Sequence, residues 1–231
     1  MAQVNHKIVS REDWQSIRAE LLKKEKELTK AKDALASEIR RLPWVKMDDK
    51  YVFHTIDGDK SLAELFEGRS QLLVYHLMYA PGWAKGACPS CSFWADNFDG
   101  LRYHLPQRDV TFKAISRASL EEIQAYRQRM GWEFDWVSAA DSEFNYDVGV
   151  SSRKVPEKRY PGEEFREGEE SPGLSVFYRE GNDVYQTYFT TNRGIEPINT
   201  VYNALDLVPK GRDEANVKPW PMAWVKRHDD Y

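Results

Sequence analysis

Apolar residues change their spacing several times along this chain, and each change marks an element. From Ser10 to Arg41, Trp14, Ile17, Leu21, Leu28, Leu35 and Ile39 fall near helical spacing with charges between them, which predicts one long amphipathic helix. Ser10 with Asp13 resembles a capping box, and Pro43 ends the helix. The apolar stripe is interrupted at LLKKEKELTKAK, so the helix is expected to pack on its own domain, with a homodimer contact as the alternative.

The period shortens at Tyr51. YVFHTI reads as a strand, DGDK as a turn and SLAELF as a short helix. QLLVYHLMY is a nearly continuous apolar run, the mark of a strand covered on both faces. Downstream, VTFKAIS is a further strand and SLEEIQAYRQRMG a helix ending at Gly131. Strands alternating with helices imply a parallel sheet covered by helices. Residues 151–171, SSRKVPEKRYPGEEFREGEES, show no apolar period and read as a long inserted surface loop. LSVFYREGNDVYQTYF alternates around an EGND turn and predicts a hairpin, and IEPINTVYNALDLV a closing helix. The division is a helical arm over 1–44 and one α/β domain over 45–231, with an aromatic tail from about 211 to 231 expected to cover its surface.

Composition narrows the function. The chain has 231 residues, 41% apolar, enough for one well-packed core, and a net charge of −4 with no isolated basic block. A nucleic-acid partner is therefore not expected. Neither is a membrane span, because LLVYHLMY is too short and carries His76. MAQVNHKIVSREDW has no basic-then-apolar pattern, so a reducing cytoplasm is the expected address.

The chemistry gathers in APGWAKGACPSCSFWADNFDG, which holds both cysteines, Cys88 and Cys91, at C-x-x-C spacing. Zinc would need four ligands. His104 follows Cys91 after twelve residues, but the next positions where a ligand belongs are Arg108, Asp109 and Val110. A structural disulfide would close a very short loop, worth about 2 kcal/mol at best, in a compartment that keeps thiols reduced. Redox chemistry has positive support. Pro89 suits the first position of a helix, which would run through SCSFWADNFDGLRYHL and leave Cys88 at its N-cap. Free N–H groups there favour a thiolate at Cys88, and Cys91, one turn on, could resolve a mixed disulfide.

The strings YHLMYAPGWAKGACPSCSFWAD, AISRASLEEIQAYRQRMGW, FNYDVGV, TYFTTNRG and LDLVPKGR resemble the DUF899 family of thioredoxin-like proteins over nearly the whole chain. The resemblance implies a three-layer α/β sandwich, its mixed central sheet flanked by helices, and a predicted dithiol-disulfide oxidoreductase. It also implies that Pro172, in SPGLSVFYREG, matches the substrate-facing cis-proline of thioredoxins. The chain departs from thioredoxin in its Pro89-Ser90 dipeptide, in Ala87 before the first cysteine with Trp83 further upstream, and in Tyr75 or His76 where thioredoxins keep a buried acid. Pro81, Cys88 and Pro89 also resemble the peroxiredoxin pattern, except that Lys85 stands where a hydroxyl would orient peroxide. Lys85 could instead lower the Cys88 pKa by its charge.

Around this centre, Tyr79, Trp83, Phe93 and Trp94 read as an aromatic rim or as core packing. His76 and Asp96 are candidates for proton transfer. Arg117 and Arg193 follow strand ends, where active-site loops gather. The expected function is thiol–disulfide exchange with Cys88 as nucleophile and Cys91 as resolving thiol. No cofactor is expected beyond a thiol partner, and the substrate is a protein disulfide or a small-molecule thiol. A thiol peroxidase and a non-enzymatic protein-binding module are the alternatives.

Overall fold

The computed structural model describes residues 6–153 and 170–231. Most of the charged segment expected at 151–171 therefore lies outside the described residues. The chain divides into two units, Met1–Pro43 and Trp44–Tyr231.

The first unit is built on helix α1 (Arg11–Ile39). The Ser10 hydroxyl accepts the Asp13 N–H at 3.1 Å and donates to its carboxylate at 2.8 Å, so an aspartate closes the cap. No side chain of α1 is buried. Trp14, Ile17, Leu21, Leu28 and Leu35 are all exposed.

The second unit is organised by one eight-stranded mixed sheet. In chain order its strands are β1 (Val45–Lys46), β2 (Val52–Thr55), β3 (Gly58–Ser61), β4 (Gln71–His76), β5 (Val110–Ser116), β6 (Trp136–Ser138), β7 (Gly173–Glu180) and β8 (Asp183–Thr191). Across the sheet they lie in the order β1-β8-β7-β4-β5-β6-β2-β3. Strand β4 is central, parallel to β5 through Leu73↔Phe112 and antiparallel to β7 through Leu73↔Val176. Its parity explains the continuous apolar run of the sequence. Leu73, Tyr75 and Leu77 enter one core, whereas Leu72 and Val74 enter the other.

The first core is roofed by α2 (Pro89–Ala95), α4 (Leu120–Arg129) and α6 (Thr200–Leu205), which contribute Phe93, Trp94, Ile123, Tyr126 and Tyr202. The second is closed by a 3-10 turn at Glu64–Phe66, by β2 and by α5 (Phe144–Asp147), through Leu65, Phe66, Phe53 and Phe144. A buried β4 between a parallel strand and an antiparallel hairpin, with helical layers on both faces, is a thioredoxin-like three-layer sandwich.

Several sequence expectations are corrected. Gly58–Ser61 is a strand rather than a turn, because the chain reverses at Ile56–Asp57 and β3 returns against β2. The strand expected from Tyr51, β2, is not part of the parallel set; it meets β6 antiparallel through His54↔Ser138. The helix expected over 90–105 breaks after Ala95 and resumes as α3 (Leu101–His104). Asp96 is drawn away to the Trp132 indole N–H at 2.8 Å, and Asp99 accepts the backbone N–H groups of Glu133 and Phe134, both at 2.8 Å. Pro197 splits the closing helix into a 3-10 stretch, Asn192–Ile198, and α6, whose first turn is capped by Asn199. Strands β1 and β6 and helix α5 are too short to show a period in the sequence.

Candidate functional site

Two residues of backbone geometry set the reactive centre. Pro89 occupies the first turn of α2 and Cys88 its N-cap, with Ser92 N–H bonded to the Cys88 carbonyl at 2.9 Å. The Cys88 N–H is tied to the Met78 carbonyl at 3.0 Å, which hangs the start of the helix on the end of β4. Cys88 is half-buried, Cys91 is 2% exposed, and no disulfide joins the two.

The thiols are unequal. A hydrogen bond from the Cys91 thiol brings Cys88 down to about 7, against the effect of burial. The N–H groups of Cys91 and Ser90 and the charge of Arg227 act in the same direction. Cys91 is pushed well above the ordinary thiol range by that same bond to Cys88, by burial and by the charge on Cys88. The Met78 N–H and the Tyr75 hydroxyl partly oppose this.

The β4 parity decides which neighbour serves the cysteines. Tyr75 is fully buried on their side, and its hydroxyl donates to the Cys91 carbonyl at 3.3 Å. His76 points into the opposite core, beside Phe144 and Phe189, with Nε2 hydrogen-bonded to Ser175 Oγ at 2.7 Å. Burial lowers its pKa to about 3, so it is a neutral core group. The proton-transfer expectation for His76 is therefore corrected: the sheet separates it from the thiols.

Cys88 sits between two depressions. One, of about 210 Å³, is lined by Met78, Trp94, Pro172, Ile195 and Met222, with Tyr75, Asn192, Arg193 and Glu196 supplying its polar groups. The other is open and formed by Gly82–Pro89 and Arg227, so Trp83 and Lys85 both reach the neighbourhood of Cys88. Lys85 is exposed there, and Arg227 is a cation that lowers Cys88.

Pro172 does line the cavity, but the cis expectation is corrected. Among the described residues the cis peptide bond is Lys218–Pro219, and Ser171–Pro172 is trans. Ser171 N–H is bonded to the Val150 carbonyl at 2.6 Å and Glu170 bridges to Ser151, so the chain enters β7 already extended. The Pro172 carbonyl is occupied by the Thr191 hydroxyl.

The remaining candidates separate. Phe93, Trp94 and Tyr79 are buried; Phe93 packs edge-on against Tyr202 and Trp224, and the Trp94 indole donates to the Ile195 carbonyl at 3.0 Å. Asp96 is a structural acceptor, holding Trp132 and His228. Arg117 lies elsewhere, paired at 3.1 Å with the buried Glu170 and stacked on Tyr146. Arg193 stands at the cavity rim, paired with Glu196 at 2.9 Å. His104 is an exposed residue at the end of α3. Among the described residues no group of three metal-ligating side chains converges, and no helix is long and apolar enough to cross a membrane. Sequence reasoning missed Arg227, Tyr126 and Met222, which reach the site from far along the chain with no local pattern to announce them.

Among solved structures, the chain is similar to a PrxQ mutant from Xylella fastidiosa, with 14% identity, 70% of this chain and 94% of that chain covered, and a TM-score of 0.48. It is similar to the peroxidoxin BcpB of Mycobacterium tuberculosis at 14% identity, 71% and 97% coverage and a TM-score of 0.46. For a peroxiredoxin Q mutant of Xanthomonas campestris the values are 15%, 68%, 92% and 0.44. No curated protein matches the sequence. The sequence matches the family described as bacterial protein of unknown function (DUF899) over residues 3–231, and the chain belongs to that family.

Proposed function

We propose that the protein is a thiol–disulfide oxidoreductase in which Cys88 is the nucleophile and Cys91 the resolving thiol. The observation that carries this reading is the inequality of the pair: a half-buried thiol at a helix N-cap drawn down to about 7, one turn from a buried thiol held protonated. In the first step the Cys88 thiolate attacks one sulfur of a substrate disulfide, forming a mixed disulfide and expelling the other sulfur as a thiolate. Once Cys88 is bound in the mixed disulfide, its negative charge no longer holds Cys91 protonated. Cys91 loses its proton to water or to the expelled thiolate and attacks Cys88 sulfur. The second substrate thiol leaves, and a Cys88–Cys91 disulfide remains. The substrate gains two electrons and the dithiol loses two. The Tyr75 hydroxyl, by turning its one proton from the Cys91 carbonyl to the sulfur, would stabilise the Cys91 thiolate in this second step.

The test uses glutathione disulfide and equilibration in glutathione buffers. Cys91→Ser should accumulate a glutathione adduct on Cys88, Cys88→Ser should form none, and the native pair should have a potential between about −120 and −270 mV. A potential below about −300 mV, or turnover that survives Cys88→Ser, would overturn the reading.

The largely apolar cavity beside Cys88 supports a second reading, a thiol peroxidase acting on a small hydroperoxide. There Cys88 would attack the peroxide oxygen, release the alcohol or water and become a sulfenic acid, which Cys91 would condense with by loss of water. Peroxide consumption exceeding disulfide reduction in the same preparation would select it.

A further inference from the structure

The stretch WVKRHDDY was expected only to cover the domain surface, yet it is fastened to the reactive centre at several points. Arg227 is nearly buried, with 11% of its side chain exposed. Its Nη2 donates to the Ala87 carbonyl at 2.8 Å, one residue before the nucleophile, and its Nε donates to the Tyr126 hydroxyl at 2.9 Å. Tyr126 is 2.9 Å from the Ser92 hydroxyl, which itself donates to the Cys88 carbonyl at 3.0 Å. With Arg a pure donor and Ser92 committed to the carbonyl, the donors run one way: Arg227 to Tyr126, Tyr126 to Ser92, Ser92 to Cys88. Neighbouring residues lock the arginine in place. Arg129 holds Asp229 at 2.6 Å, and His228 is bonded to Asp96 at 2.7 Å.

We propose that Arg227 is a positioning residue for Cys88, holding the Ala87–Cys88 backbone against α4 while presenting a fixed guanidinium to the thiol. Two hydrogen bonds to separate elements from one planar group give the loop a single seat, which a lysine ammonium could not reproduce in the same geometry. The guanidinium adds its positive charge where the thiolate forms. The proposal rests on Cys88 being the reactive thiol but not on any disulfide substrate.

The groups facing Cys88 are Cys91 on α2, Tyr75 on β4, Arg193 and Glu196 beyond β8, and Arg227 from the tail, with Lys85 on its own loop and Tyr126 on α4 behind Arg227. Among the described residues, Arg227 is the cation that combines burial with a bond to the Cys88 loop.

The experiment is the rate of Cys88 alkylation by iodoacetamide against pH, followed by peptide mass so that Cys91 is counted separately, on the full chain and on Arg227→Ala, Arg227→Lys and Tyr126→Phe. Arg227→Ala should react roughly three- to tenfold more slowly at pH 6.5 and reach or exceed the parent's rate in strongly alkaline buffer, with the profile midpoint moved upward. Arg227→Lys should fall between, and Tyr126→Phe should show a smaller shift in the same direction. A loss of rate that is equal at every pH would mean a merely structural role and would overturn the proposal, as would superimposed profiles. If Arg227→Ala fails to fold, the comparison of Arg227→Lys and Tyr126→Phe with the parent decides. Because iodoacetamide is not a disulfide, a normal Arg227 effect with no glutathione exchange would sink the oxidoreductase reading alone.

Discussion

Replacing Cys91 tests the inequality of the two thiols at its source, because the Cys91 S–H is the largest influence holding Cys88 low. Cys91→Ala deletes that donor, keeps the backbone N–H groups and Arg227, and leaves burial working against ionisation. The Cys88 pKa should return toward an ordinary thiol value of about 8.5. At pH 7 the parent thiol, at about 7, is half ionised, whereas a thiol at about 8.5 is only ~3% ionised, a loss of roughly fifteenfold in thiolate. The more basic thiolate is intrinsically about fivefold more nucleophilic for a Brønsted coefficient near 0.45, so the net fall at pH 7 is about threefold. The two profiles should cross, with the variant faster at strongly alkaline pH. Cys91→Ser keeps an O–H donor at the same place and should leave Cys88 near its native value. The assay is ultraviolet thiolate absorbance with alkylation rates on the same samples. If Cys91→Ala titrates with the parent, or if the serine and alanine variants shift alike, the donor hydrogen bond is not what lowers Cys88.

Two further outcomes follow from a core histidine and a loop glycine. His76 is neutral in the fold, with a pKa near 3 against 6.5 outside it, so the unfolded chain binds a proton that the folded chain refuses. Its contribution is intact above about pH 6.5 and should fall by about 1.4 kcal/mol per pH unit below it, a total loss of roughly 4 kcal/mol by pH 3. Urea midpoints of the parent should fall over that window more steeply than those of His76→Gln, and parallel curves would refute the assignment. Gly86 has φ +87°, and a Cβ there would lie 2.4 Å from the Tyr126 ring. Gly86→Ala should therefore cost roughly 2–3 kcal/mol in urea unfolding and slow Cys88 alkylation, and a change within about 0.5 kcal/mol would show that the loop is not clamped against α4.

Much of this was legible because it is local. Pro89 marks the helix start through the preference of proline for the first turn, Gly131 stops α4 with φ +63°, and the nearly continuous apolar run at β4 reports a strand covered on both faces. The same run also offered Tyr75 and His76 as alternatives, and parity alone, once the sheet is known, gives Tyr75 to the cysteines. What stayed hidden depends on distant partners. β3 reads as a turn because an edge strand carries polar residues, and α2 breaks because Asp96 and Asp99 find donors more than thirty residues away. Arg227 joins Ala87 across 140 positions, and no spacing in the sequence records that contact. Pro172 was placed beside the cysteines by resemblance, and it does line their cavity, though with a trans peptide bond.

The ends of the sheet order bear on how the protein behaves at high concentration. Eight strands side by side would ordinarily offer two long rows of unpaired N–H and C=O groups, templates on which another molecule could add a strand. Here one margin is β1, two residues long, with Lys46 paired to Asp183 at 2.8 Å; the other is β3, four residues of sequence GDKS. Both margins are short and carry lysine, so neither gives an incoming strand enough consecutive partners to register against. The apolar strands that would aggregate most readily, β4 and β5, sit at the middle of the order, shielded as long as β7 and β6 remain docked on either side. Conditions that peel away β7 should therefore bare the edge of β4 and start aggregation there.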